Sequence, residues 1–493
     1  MSDNRLTIKQ SSLINLAGAI APIVVTLITL PLLLPLVGEF RYGALMLVWA
    51  LVGYLGVLDL GLGRATSNLV ARMDKADPAS LAGALWTSLL LSLGMGLLGG
   101  LLVYAAGEWI FGAVFSLSVE LQTELIAGLP WLLIALPAAT VMSVLTGALE
   151  GRQSFIALNL ANITGSVLAQ VLPLLGALAG LIDLASLLAL TLIGRLAGAL
   201  LLFQACLKHV SSSRPRFSRS MLGQVLHFGG WVSVSSVLNP VLTLTDRFII
   251  GHKLDMAAVT AYTVPYSLAT RLSIIPASLS SVLFPRFSSA EGADASALML
   301  RARLPLAVVM TPVIVAAIIL VQPLMSLWLG EALGQRMGPV AEILLVGIWI
   351  NALAFIPYAY LQGVGRPDLT AKLHLMELVP YLALLWWAVE AWGVEGAAFA
   401  WSIRVGVDAI LLFVLAGGAW PDLRQIMLGG GLVLGAAVSA LLFLDLPLMR
   451  VLLGGGLAAL TAIWVVLYAP EELRSMSASI LRRKWLDHPS QDA

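Results

Sequence analysis

Three arginines stand in stretches of sequence that otherwise hold almost nothing but apolar residues: Arg195, Arg271 and Arg404. A guanidinium is permanently charged and presents a planar fork of N–H donors that matches carboxylate and phosphate oxygens. At the centre of a bilayer such a group costs roughly 2.5–3.5 kcal/mol even on lenient insertion scales, so it faces a bundle interior or a wet cavity and finds a counter-charge there. Arg271 is the sharpest case. It lies near the middle of its stretch, about 20 Å from either end by helix rise, beyond the reach of a snorkelling side chain. Its partner is either an anionic ligand or an acid of the same bundle. Arg404 has Asp408 four residues on, on the same helical face, so a local ion pair is open to it. Arg195 has no acid three or four residues to either side. Its partner must come from another helix or from a ligand.

Three acids complete the set. Asp59 opens the run Asp59-Leu60-Gly61-Leu62-Gly63-Arg64-Ala65, where it can pair with a base such as Arg64 and act in gating, or serve structure alone. The glycines there permit close helix approach. They are no phosphate loop, because no strand precedes them and the spacing is wrong. Glu377 lies nearly two turns into its apolar stretch, placed to pair with a base, to carry a proton in a coupled cycle, or to sit solvated near the surface. Asp246-Arg247 reads as an interfacial ion pair or cap, with gating as the functional alternative. His227 and His374 lie near helix ends as ordinary satisfied histidines.

The elements that must position these groups are membrane helices. The chain has 493 residues, 59% hydrophobic and 11% charged, against about a quarter charged in a soluble domain. The apolar residues gather in runs of about twenty, the length a helix needs to cross the hydrocarbon core. We read fourteen spans at 11–37, 42–62, 81–105, 125–149, 156–180, 184–207, 222–245, 256–284, 304–328, 340–363, 371–391, 394–418, 427–444 and 449–468. The first is too long for a cleavable signal core. The gaps on the N-terminal side hold 20 of the 28 Lys and Arg residues and the opposite gaps hold 5, with the three arginines above inside spans. By the positive-inside rule both termini face the cytoplasm. The largest outer loop, about 106–124, carries Glu108, Glu120 and Glu124 and no base. The tail from Glu471 reads either as a short basic amphipathic helix on the inner leaflet or as a frayed, solvated end. Cys206, the single cysteine, excludes an intramolecular disulfide and reads as a small buried residue. The net charge of +1 gives no reason to expect nucleic acid.

An internal repeat sets the architecture. Gly151-Arg152 follows the fourth span and Gly365-Arg366 the tenth. Arg195 sits in the sixth and Arg404 in the twelfth, each followed by a leucine run ending in Phe203 or Phe413. Pro22 lies in the first span and Pro240 in the seventh. The offsets of 214, 209 and 218 agree within ten residues. The expected fold is therefore an all-α polytopic membrane protein with two pseudo-symmetric six-helix lobes, 1–210 and 211–420. Two extra spans at 421–470 and a cytoplasmic tail at 471–493 follow. An even number of spans per lobe gives both the same orientation, a transporter design that holds its substrate between the halves.

Enzyme signatures are thin. The chain has no Asp-x-Asp, Walker A or His-Glu-x-x-His sequence, so no ATP, metal or other cofactor site is expected, and the chain does not read as an enzyme. A membrane glycosyltransferase or ligase would need catalytic acids or a basic outer loop, and neither stands out. The three arginines speak against a purely structural role.

At these residues the sequence resembles the Wzx-like oligosaccharide flippases, the polysaccharide exporter branch of the multidrug/oligosaccharidyl-lipid/polysaccharide superfamily. Carriers of the resemblance are Trp49-Ala50-Leu51-Val52-Gly53-Tyr54 running into Asp59–Ala65, Asp246-Arg247-Phe248-Ile249-Ile250-Gly251, Tyr262-Thr263-Val264-Pro265-Tyr266 and Gly365-Arg366-Pro367. Each is short, and the specificity lies in their order and spacing over most of the first twelve spans. The resemblance implies a V-shaped, two-lobed fold and alternating access. It implies a substrate joined through pyrophosphate to a polyprenol, moved from the inner to the outer leaflet of a bacterial plasma membrane. It makes Arg271 a loose match to a basic residue that matters in the eighth helix of the related lipid II flippase, and it leaves the coupling ion open. Partners then are the lipid-linked saccharide, membrane lipids and polysaccharide-assembly proteins. A cation-coupled multidrug antiporter of the same superfamily is the alternative. Such proteins use membrane-buried carboxylates, whereas here the span 11–37 holds no charge and the midplane charges are bases, which favours an anionic cargo.

Overall fold

The computed structural model describes residues 8–55, 61–72, 78–115, 117–210, 217–218, 242, 244–289, 292–417, 422–442 and 447–470. Its named helices are α1 (Ile8–Leu55), α2 (Leu62–Arg72), α3 (Pro78–Trp109), α4 (Val119–Gly151), α5 (Phe155–Leu178), α6 (Leu184–His209), α7 (Met256–Ala269), α8 (Ile274–Ser289), α9 (Gly292–Leu329), α10 (Glu331–Gly363), α11 (Pro367–Leu415), α12 (Leu423–Leu442) and α13 (Pro447–Tyr468). No strand occurs among the described residues. Among the described residues ten helical stretches are long and apolar enough to cross a membrane, and Leu452–Tyr468 adds a shorter apolar helix. The chain is a multi-pass membrane protein. In hydrocarbon every backbone N–H and C=O must be satisfied within the chain, and an uninterrupted helix achieves this locally.

Two of the ten stretches are bent. Gly38 inside α1 has φ 81° and Gly393 inside α11 has φ 60°. Both lie in the left-handed region, which costs a residue with a Cβ roughly 1–2 kcal/mol. The expected spans 11–37 and 42–62 meet at Gly38, and 371–391 and 394–418 meet at Gly393. The expected seventh span, 222–245, falls almost wholly outside the described residues, as do Asp59, His227 and the tail 471–493. The count of fourteen is therefore not established on the described chain.

The expected outer loop at 106–124 proves much shorter. α3 runs to Trp109 and continues as a π-helical turn, Ile110–Val114, and α4 begins at Val119. Ser118 caps it, its side chain accepting the Leu121 N–H. Hydropathy marked the part of each helix that lies in hydrocarbon, and the polar ends extend beyond it.

The chain divides into two compact units, Met1–Thr260 and Ala261–Ala493. In the first, α4 packs against α2, α3 and α6. α5 meets α6 at Gly165 and Gly198, where a Cβ on Gly165 would come within 3.0 Å of the Gly198 Cα. Such small-residue contacts let helix backbones approach where no hydrophobic effect drives them together. Cys206 is buried on α6, its Sγ 3.4 Å from the Leu145 carbonyl. In the second unit α10 is the central helix, packed against α8, α9, α11 and α12.

Gly393→Ala should lower the thermal unfolding midpoint in detergent or nanodiscs, corresponding to a cost of about 1–2 kcal/mol. Gly53→Ala is the control. Gly53 is helical with open space around it, and alanine there should be neutral or slightly stabilising.

Candidate functional site

The stretch Met256–Ser289 loses its α-helical pattern at Arg271. Residues Thr270–Ser273 form a 3₁₀ turn between α7 and α8, in which the Ile274 N–H donates to the Arg271 carbonyl. Pro276 has no N–H to offer the Leu272 carbonyl, so a regular α-helical ladder cannot run through this point. A 3₁₀ segment inside a long helix is a recurrent mark of a hinge or functional position. Arg271 is exposed there and makes no ion pair or hydrogen bond among the described residues. Of the two readings open to it, the structure shows no acid of its own bundle paired with it.

Arg195 finds an aromatic face. On α6, its Cζ lies 3.9 Å from the centroid of the Trp49 ring on α1, an interaction worth about 2 kcal/mol when desolvated. Arg195 has no ion pair among the described residues. The buried Trp49 indole N–H also lacks a hydrogen-bond acceptor there. Two kinds of donor thus meet with no acceptor between them.

Arg404 does not take Asp408 as its ion partner. Its Nη1 lies 3.8 Å from Glu377 Oε2 and its guanidinium 5.3 Å from the Tyr381 ring. Asp408 faces His374 instead, with Oδ1 3.6 Å from Nε2. These groups belong to the two arms of α11. The bend at Gly393 folds the arm bearing His374, Glu377 and Tyr381 against the arm bearing Arg404 and Asp408. Glu377 is buried, which rules out its solvated reading, and neither of its oxygens accepts a hydrogen bond.

Asp246-Arg247 also differs from expectation. The pair forms, at 3.1 Å, but Asp246 is 0% exposed and Arg247 6%. It is a core ion pair, and Asp246 Oδ1 also accepts the Arg247 backbone N–H. The sequence reading missed the burial of two charged groups. Glu342 on α10 is fully buried, and Arg303, grouped with the loop bases, is buried on α9 with its guanidinium 5.5 Å from the Phe413 ring. The apolar residues after Leu304 were the available signal for Arg303.

A further network pins the bent end of α1. Arg41, three residues past Gly38, donates from Nε and Nη2 to Glu124 and from Nη2 to Glu120. Glu124 Oε2 also accepts the Leu184 N–H at the start of α6. Beside it Asp183 caps α6 by accepting the Ser186 N–H. Burial would raise the Asp183 carboxyl, but the hydrogen bonds from Ser186 outweigh it and hold the group below its usual range. The second arm of α1, α4 and α6 are thus tied through one guanidinium. Glu124→Ala and Arg41→Ala should each destabilise the protein by about 1.5–3 kcal/mol, since a charge-assisted bond is lost and a partner is left wanting. Glu120, 77% exposed, should matter by under about 1 kcal/mol when replaced by alanine. Thermal unfolding of the three variants side by side checks the order.

Comparison with known proteins extends this picture. Residues 41–336, more than half of the chain, match the family described as polysaccharide biosynthesis protein. A Shigella flexneri protein named as an O-antigen transporter is 29% identical over 418 residues, covering 83% of this chain and 97% of its own. Among solved structures, an inward-facing multidrug resistance MATE family transporter of the MOP superfamily superposes with a TM-score of 0.69 at 19% identity, covering 84% of this chain and 98% of its own. Lipid II flippase MurJ, in an inward closed conformation, superposes with a TM-score of 0.68 at 15% identity, covering 91% and 98%. At such identities these two establish the fold. The relatives are transport proteins rather than enzymes. By the match across residues 41–336, the chain belongs to the polysaccharide biosynthesis protein family.

Proposed function

We propose that the protein is a flippase that moves a polyprenyl-pyrophosphate-linked oligosaccharide from the cytoplasmic to the outer leaflet of a bacterial inner membrane. It does so by alternating access between two six-helix lobes, 1–210 and 211–420. The spans 421–470 and the tail 471–493 lie outside this core, and both termini face the cytoplasm. The carrying observation is Arg271, a mid-span arginine on a 3₁₀ turn with no anionic partner among the described residues. The family match and the relative named as an O-antigen transporter give that cation a cargo chemistry.

A headgroup with a pyrophosphate and many hydroxyls cannot enter hydrocarbon without partners for its polar atoms. Arg271, Arg195 and Arg404 supply them in a central cavity, as charge-assisted bonds to phosphate oxygens. At Arg195 the anion also provides the acceptor that the Trp49 N–H lacks. The polyprenol chain stays in lipid throughout. Asp59, Glu377 and Asp246 serve coupling or gating. Polysaccharide-assembly proteins in the same membrane would supply the substrate and take it onward.

The multidrug antiporter remains the second reading, favoured by the buried carboxylates Glu377 and Asp408 and by the MATE fold likeness. Leaflet transfer in proteoliposomes separates the two. A fluorescent polyprenyl-pyrophosphate saccharide should cross with the wild type. Loss of one charge-assisted contact of about 1.5–3 kcal/mol predicts roughly 10–100-fold slower transfer for a folded Arg271→Ala. No transfer of several saccharides, alongside efflux of a cationic dye, would promote the antiporter. Unchanged transfer by Arg271→Ala would keep the flippase and remove Arg271 from its headgroup contacts.

A further inference from the structure

The two arms of α11 enclose a charge cluster whose count does not balance. The bend at Gly393 gathers two carboxyls in one cluster, Glu377 beside Arg404 and Asp408 beside His374. Arg404 supplies one fixed positive charge. His374 completes the group from the more open end, with its side chain 24% exposed against 11% for Asp408 and 6% for Glu377. With the histidine neutral, two ionised carboxylates and one guanidinium leave a net negative charge in a low-dielectric bundle. Such a site is driven to take up a proton. The orphaned oxygens of Glu377, a side chain more than nine-tenths buried, are where a shared proton is missing from the hydrogen-bond pattern.

We propose that Glu377 and Asp408 are a proton-binding site holding one proton between them, loaded from water through His374, and that this proton decides whether Arg404 is held by Glu377 or free to bind an anion. The second half rests on the flippase reading. The proton passes from His374 Nε2 to Asp408 and then to Glu377, and His374 regains one from water. When Glu377 is neutral its hold on Arg404 weakens, and the guanidinium turns to phosphate. When the pair is doubly ionised, Arg404 is drawn back to Glu377. By linkage, an anion bound at Arg404 favours protonation of the pair.

Among the described residues the surrounding groups do not supply the missing balance. On α11, Tyr381 offers its ring to Arg404, and the Asp368–Lys372 pair lies before His374 with both side chains exposed. From α10, Tyr358 stacks on His374 at 6.2 Å, and of that helix's two acids Glu342 is buried while Glu331 lies in its exposed first turn. On α9, Arg303 is engaged over Phe413.

Infrared difference spectra of the full-length protein in nanodiscs, taken between neutral and alkaline pH, test the first half. The wild type should lose a carbonyl stretch of a protonated carboxylic acid as the pH rises. Folded Glu377→Gln and Asp408→Asn, each balanced by Arg404 without a proton, should lack that band. A wild type with no such band, the proton then residing on His374, would overturn the proposal, as would a band unchanged in both variants. Binding of a polyprenyl pyrophosphate without sugar tests the second half. Wild-type affinity should fall as the pair deprotonates, approaching tenfold per pH unit, and Glu377→Gln should flatten that dependence. A pH-independent wild-type affinity would overturn the link to Arg404. If the infrared band behaves as expected while the pyrophosphate binds at no pH, the proton site stands and it is the flippase reading that fails.

Discussion

A charge among helices that cross hydrocarbon needs a counter-charge, a ring face or water within a few ångströms. That constraint explains the placement of nearly every polar side chain described here. Arg195 meets it with the Trp49 ring, Arg404 with Glu377 and the Tyr381 ring, and Arg247 with its own neighbour Asp246. Arg271 is exposed and has neither a counter-charge nor a ring face among the described residues, and it is the arginine on the turn where the helix changes its winding. The three mid-span arginines therefore differ in availability. Among the described residues one is exposed without a partner, one rests on a ring beside an unused indole donor, and one is claimed by a carboxylate.

Much of this was legible from residue types, and less from their neighbours. Hydropathy located the apolar stretches, and the spans on either side of Gly38 and Gly393 were separated correctly where the helix is bent rather than interrupted. Helix ends were placed too short. α9 begins at Gly292, well before the apolar run at 304, because a helix outside the hydrocarbon can be polar without announcing itself. Partner choice was harder still. The i, i+4 rule offered Asp408 to Arg404, and packing of the opposite arm brought Glu377 closer. Trp49 lies 146 residues from Arg195, and local spacing carries no information about such a contact. Asp246-Arg247 resembled a surface pair because acid beside base usually is one. Its burial depends on the helices around it.

The same logic ties the bend at Gly393 to chemistry. An arginine and its counter-ion on one helix must be three or four residues apart to touch. Glu377 and Arg404 are separated by far more chain, and they meet because one positive-φ glycine folds a single helical stretch into a hairpin. The glycine that costs helix continuity is thus what assembles the cluster, and the first stretch uses Gly38 to bring Arg41 to the ends of α4 and α6.

The tight turns have one more consequence. Gly38, the segment 179–183, Gly330 and Gly393 each reverse or bend the chain within a handful of residues. The expected alternation of spans assigns each of these connections to the side opposite the basic gaps. A protease or antibody approaching there would find scarcely any peptide to grip, and a bulky hydrophilic cargo would leave without displacing a covering flap. On the proposed function, these described connections are close to bare helix ends, which leaves recognition of the departing molecule to whatever receives it.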